Sequence, residues 1–126
     1  MSTSQILVVD DDPMSLLLLA RIVELAGYQA ATARNGQEAL EKMRQLQPAL
    51  VLIDAMMPQI NGFEVCRQIR GDTSLSHQPY IIMLTGHDQA GDSQTHAAGV
   101  DEIINKPFNP AVVSERIQAI LGQTNI

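Results

Sequence analysis

Six side chains in this sequence stand where short apolar runs stop, and their types suit one kind of chemistry. Asp10, Asp11 and Asp12 follow the run ILVV, and Asp54 follows LVLI. Thr85 follows IIML, and Lys106 comes just after Ile103-Ile104. Carboxylates crowded together raise one another's pKa values and destabilise a fold unless a cation compensates. A hard divalent ion does so while keeping several waters, and it also grips phosphate oxygens; Mg²⁺ is the obvious candidate. A phosphoryl group arriving on one carboxylate adds further negative charge, which a lysine and a hydroxyl donor are suited to meet. Acids, a hydroxyl and a lysine on separate strand ends together point to phosphoryl chemistry on an aspartate.

Bringing those groups together requires a sheet. The runs Ile6–Val9, Ala49–Ile53, Tyr80–Leu84 and Ile103–Ile104 are short and apolar, with a weaker one at Gln29–Ala33. Such runs suit strands buried on both faces, as in a parallel sheet. Helical spacing between them predicts helices near residues 14–26, 35–46, 62–70, 89–98 and 109–121. Alternating β and α segments in one short chain imply an α/β, doubly wound three-layer sandwich. Ligands in such sheets bind beyond the carboxyl ends of the strands, near the point where strand order reverses. If the first and third strands are neighbours, about 4.8 Å apart, Asp10, Asp11 and Asp54 share one small volume. Nothing acidic follows the second strand, which suits an edge.

Local punctuation agrees. Asp12-Pro13 is a good N-cap before a proline at the first helical position. Gly27 ends that helix, Asn35-Gly36 opens the next, Pro48 follows its end, and Asn61-Gly62 turns the chain into the third. The segment 89–98 is the weakest helix, since Gly91, Ser93 and Thr95 are poor helix formers.

Composition narrows the function. A chain of 126 residues fits a single domain spanning 1–126. Fourteen acidic against eight basic residues, net −6, argue against a nucleic-acid grip, and the few aromatics (Tyr28, Phe63, Tyr80, Phe108) argue against base stacking. The lone Cys66 excludes an internal disulfide, and no run reaches the roughly 20 apolar residues of a membrane span. MSTSQ at the N-terminus has no secretory character, so a cytoplasmic location with no membrane insertion is predicted.

The segments ILVVDDDP, LVLIDAMMPQINGFE, IIMLTG and INKPF resemble those of the CheY-like receiver domain of two-component response regulators, in the same order and spacing, over essentially the whole chain. The resemblance implies a flavodoxin-like parallel five-stranded sheet in the order 2-1-3-4-5. It implies transfer of a phosphoryl group from a histidine kinase or histidine phosphotransfer protein to Asp54. Mg²⁺, for which Mn²⁺ can substitute, would be held by Asp10, Asp11, Asp54 and the backbone carbonyl of Met56. Thr85 and Lys106 would contact the phosphoryl oxygens, and the Lys106-Pro107 bond would be cis. Such a protein turns over no metabolite and only catalyses its own phosphorylation and dephosphorylation. Its downstream protein partner would meet the face of the fourth predicted helix, fifth strand and last helix, without direct nucleic-acid contact.

Two departures from the family matter. An aromatic residue usually stands three before the lysine and swings inward on activation; here it is Ile103, smaller and stiff at χ1. The positions two beyond Asp54 and two beyond Thr85, which tune dephosphorylation, are Met56 and His87. An apolar Met56 cannot orient an attacking water, so slow loss of the phosphoryl group is predicted.

Plainer roles cover other residues. Asp12 is expected to cap a helix, the side chains of Met56 and Met57 to pack, Cys66 to be inert, and His77, His87 and His96 show no metal-ligand spacing. In SLLLLARIVELAG four leucines in a row cannot share one helical face. With Leu18, Ile22 and Leu25 facing inward, Leu16 and Leu17 would lie on the rim of the site, placed to dock a phosphodonor helix. Two rival functions remain open on sequence. A haloacid-dehalogenase-type phosphatase would use Asp10 as nucleophile and Asp12 as acid/base, leaving Asp54 unexplained; a constitutive scaffold would have lost switching at Ile103.

Overall fold

Five strands and four helices follow one another in the computed structural model, which describes residues 5–86 and 98–122. In chain order they are β1 (Gln5–Val9), α1 (Pro13–Leu25), β2 (Gln29–Ala33), α2 (Gly36–Leu46), β3 (Leu50–Asp54), α3 (Gly62–Arg70), β4 (Tyr80–Thr85), β5 (Glu102–Asn105) and α4 (Pro110–Leu121). The helix predicted at 89–98 falls on residues that, but for Ala98, lie outside those described. The start signals work as predicted. Asn35 and Asn61 accept the backbone N–H groups of Glu38 and Glu64 at 2.8 and 3.0 Å, capping α2 and α3.

All four strand pairings are parallel, and the sheet order is β2-β1-β3-β4-β5. Order reverses between β1 and β3, so a crevice opens beyond their carboxyl ends. Strand alternation divides the core in two. Leu7, Val9, Val51, Ile53, Ile81 and Met83 pack against α2 and α3. Ile6, Val8, Leu50, Leu52, Ile82, Leu84 and Ile104 pack against α1 and α4. β1, β3 and β4 are buried nearly throughout, which is why their sequences are unbroken apolar runs, whereas β2 lies at an edge and is partly exposed.

The face of α1 differs from the sequence expectation. Leu16, Leu19, Ile22 and Val23 are buried, while Leu17, Leu18 and Leu25 are exposed. The phase is set by packing on β1 and α4, and four successive leucines carry no polar residue that would mark it. Leu16 is therefore a core residue and not part of a docking rim. Cys66 sits on the buried face of α3, and burial pushes its thiol up to about 12, which disfavours the reactive thiolate. Among the described residues, no helix is long and apolar enough to cross a membrane.

Candidate functional site

Register and alternation bring the acids together. Val9 pairs with Ile53, so Asp10 and Asp54 come out of the sheet side by side. Pairing with Leu84 extends β3 one residue beyond its apolar run and makes Asp54 its last residue. Val8, Leu52 and Ile104 face the α1/α4 core; Asp10, Asp54 and Lys106, each two residues further on, project on that same side. Asp10 and Asp54 are buried, at 1% and 6% exposure, and Asp11 is open to solvent.

Carboxylate oxygens of Asp10, Asp11 and Asp54 lie within 4.8 Å of one another. Lys106 Nζ is 3.0 Å from Asp54 Oδ1 and 3.5 Å from Asp10 Oδ2. Asp10 Oδ1 accepts the Asp12 N–H at 2.9 Å. Burial pushes the Asp10 carboxyl above its ordinary range, and the Asp54 charge adds to this, against the opposing pull of the Asp12 N–H and Lys106. For Lys106, burial works against the charged amine. The hydrogen bond to Asp54 and the charges of both aspartates outweigh it and raise its pKa. Anionic oxygen donors, with one of them solvent-facing, fit a hard divalent cation that retains waters.

Thr85 ends β4 beside this cluster and is fully buried. Its hydroxyl donates to the Gly86 carbonyl at 3.2 Å, and its own carbonyl accepts the Lys106 N–H at 2.8 Å. The Lys106-Pro107 bond is cis. Met56 exposes its side chain next to Asp54, whereas Met57 is buried. His87 lies outside the described residues. Ile103 is half-buried and pairs with Met83. Asp12 caps α1, accepting from Ser15 N at 3.1 Å and Ser15 Oγ at 2.8 Å.

Two features were not legible as part of a site. A groove of about 450 Å³ lined by Ser15, Leu18, Lys106, Pro107 and Phe108 runs beside the lysine, and Leu18 joins it only because α1 turns that residue outward. Gly62, the first residue of α3, meets the backbone of Asp54 so closely that an ideal Cβ there would lie 2.4 Å from the Asp54 carbonyl oxygen. The dipeptide Asn61-Gly62 signals a turn in sequence but not what the turn touches.

The sequence pattern of the response regulator receiver domain matches residues 6–118. The alkaline phosphatase synthesis transcriptional regulatory protein PhoP of Bacillus subtilis is 38% identical over 123 residues, covering 97% of this chain and 50% of that protein. Among solved structures, the chemotaxis protein CheY4 of Vibrio cholerae superposes with a TM-score of 0.85 at 28% identity, covering 95% of this chain and 100% of that one. A receiver domain protein from Methanospirillum hungatei gives 0.84 at 31% identity, covering 97% and 96%. The chain spans about half the length of the curated relatives it matches.

Proposed function

Because this chain belongs to the response regulator receiver domain family, we propose that Asp54 is its phospho-acceptor and that a histidine kinase or histidine phosphotransfer protein is the donor. The ion-paired lysine carries this proposal: Lys106 stands 3.0 Å from the buried Asp54, within the cluster of Asp10, Asp11 and Asp54. A carboxylate oxygen of Asp54 bonds to phosphorus as the bond from phosphorus to the donor's imidazole nitrogen breaks, and that electron pair leaves with the imidazole. Lys106, already paired with Asp54 and Asp10, has only to shift to meet a phosphoryl oxygen. Thr85 offers its hydroxyl to another. Asp10, Asp11 and Asp54, with the Met56 carbonyl, would hold Mg²⁺ or Mn²⁺, which when bound neutralises charge on the transferring group. The donor would dock on exposed Leu17 and the neighbouring Leu18 groove, which borders Lys106.

Phosphorylation would then bias the domain between two conformations and so alter affinity for a cytoplasmic protein partner. We place that partner on β5 and α4, together with the segment predicted at 89–98. No metabolite is turned over, and residues 1–126 act as one receiver unit. Trapping the acyl phosphate by borohydride reduction and mapping the modified residue tests the assignment. Label on Asp54 supports it, and label on Asp10 would replace it with the phosphatase chemistry.

A further inference from the structure

The geometry points to Gly62 as a positioning residue for the cation site, through the Asp54-Ala55 peptide. It rests on the proposed role of Asp54 and Met56 as ligands. An ideal Cβ at position 62 would meet the Asp54 carbonyl oxygen at 2.4 Å, Ala55 Cα at 3.0 Å and the Asp54 carbonyl carbon at 3.1 Å. All three are backbone atoms, so no side chain can swing away to make room. Hydrogen bonds also pin this peptide and the next one, Ala55-Met56. The Ala55 N–H donates to the Leu84 carbonyl of β4 at 2.9 Å, and the Gly62 N–H donates to the Ala55 carbonyl at 3.0 Å. Ala55 itself is fully buried.

A methyl group at 62 therefore has only two outlets. Either the start of α3 lifts off β3, losing the Gly62–Ala55 hydrogen bond, or the Asp54-Ala55 peptide rotates. Both disturb the two successive peptides from Asp54 to Met56, and so re-aim the Asp54 side chain at one end and the Met56 carbonyl at the other. Gly36 offers a contrast: the atoms nearest its imagined Cβ are side-chain atoms of Ile60 and Val65, at 2.9 to 3.1 Å. Side chains can repack, whereas a peptide held between a strand and a helix cannot. The bare α-carbon of Gly62 thus sets how closely α3 seats on the phospho-acceptor's own peptide.

Mg²⁺ titration by NMR or calorimetry, with no phosphodonor present, separates this role from stability. Gly62→Ala is expected to raise the Kd for Mg²⁺ by about tenfold or more, in the range seen when groups supporting metal ligands are altered. Ile69→Ala removes buried bulk from the same helix without touching that peptide and is expected to lower the melting temperature while leaving Kd as in wild type. Sucrose in all samples favours the folded state of both variants. Wild-type affinity in Gly62→Ala, or equal weakening in both variants, would overturn the inference. Failure of the wild type itself to bind Mg²⁺ would instead remove the cation site on which it rests.

Discussion

Lys106 Nζ sits 3.0 Å from Asp54 Oδ1, spanning from the end of β5 to the end of β3 across the intervening β4. The same amine lies 3.5 Å from Asp10 Oδ2, so one cation serves two buried carboxylates. It supplies part of the compensation the acids need before any metal arrives, and it repels a second cation. Removing it should therefore have opposite effects on binding and on chemistry. Lys106→Ala is expected to bind Mg²⁺ about threefold to tenfold more tightly, by loss of that repulsion, yet to accept a phosphoryl group far more slowly. Parallel Mg²⁺ titration and phosphorylation kinetics check this, and weaker Mg²⁺ binding by the variant would contradict it.

Asp10 is buried next to Asp54 and is compensated only in part. Its isostere asparagine can still accept the Asp12 N–H while carrying no charge. Asp10→Asn is expected to melt higher than wild type without Mg²⁺ and to lose the Mg²⁺-induced rise in melting temperature that preferential binding to the folded state gives. Thermal melts with and without the ion report both effects. A variant less stable than wild type in the absence of Mg²⁺ would show that the buried charge is not a cost.

Leu16 and Leu17 are adjacent in sequence but opposite in environment, 8% and 67% exposed. Leu17→Glu should slow phosphotransfer from a protein donor while sparing phosphorylation by a small-molecule donor. Leu16→Ala should instead destabilise the fold by about 2 to 4 kcal/mol, as buried leucine truncations do. Denaturant melts and the two donor assays distinguish these outcomes. Equal slowing with both donors for Leu17→Glu would remove the docking role.

That pair also shows where sequence stops being informative. Strand ends carrying Asp10, Asp54, Thr85 and Lys106 were legible because a buried parallel strand must be apolar, which makes a polar residue at its end conspicuous. Asp12 and Asn35 were legible as caps because capping is local chemistry. The phase of α1 was not, since a run of leucines looks the same from every side and only packing on β1 and α4 selects Leu16 and Leu19. Long-range polar pairs were equally invisible. Arg70 reaches Asp101 at 2.7 Å and the Gly99 carbonyl at 2.8 Å, and nothing local in either segment announces it.

Arg116 of α4 grips Glu102 of β5 through two hydrogen bonds of 2.6 and 2.8 Å, and Tyr80 donates to the same carboxylate at 2.9 Å. The Arg116 guanidinium first, and Tyr80 after it, hold Glu102 below its ordinary 4.5, against the opposing effect of burial. A carboxyl depressed in the folded state stabilises the fold above its unfolded value, and that stability is lost as pH falls through the depressed folded value. Arg116 is partly exposed, so the interaction is screened. Glu102→Gln is expected to cost about 0.5 to 1 kcal/mol near neutral pH, with the difference from wild type closing as pH drops below 4.5. A difference independent of pH would rule out the ionised pair as its source.

Intact-mass measurement after exposure to Mg²⁺ and a small phosphodonor such as acetyl phosphate tests the central claim most directly. Wild type should gain about 80 Da, the mass of one phosphoryl group, only when Mg²⁺ is present, and Asp54→Asn should gain nothing. Equal gain by Asp54→Asn, or by wild type with the metal chelated, would contradict Asp54 as a cation-dependent phospho-acceptor.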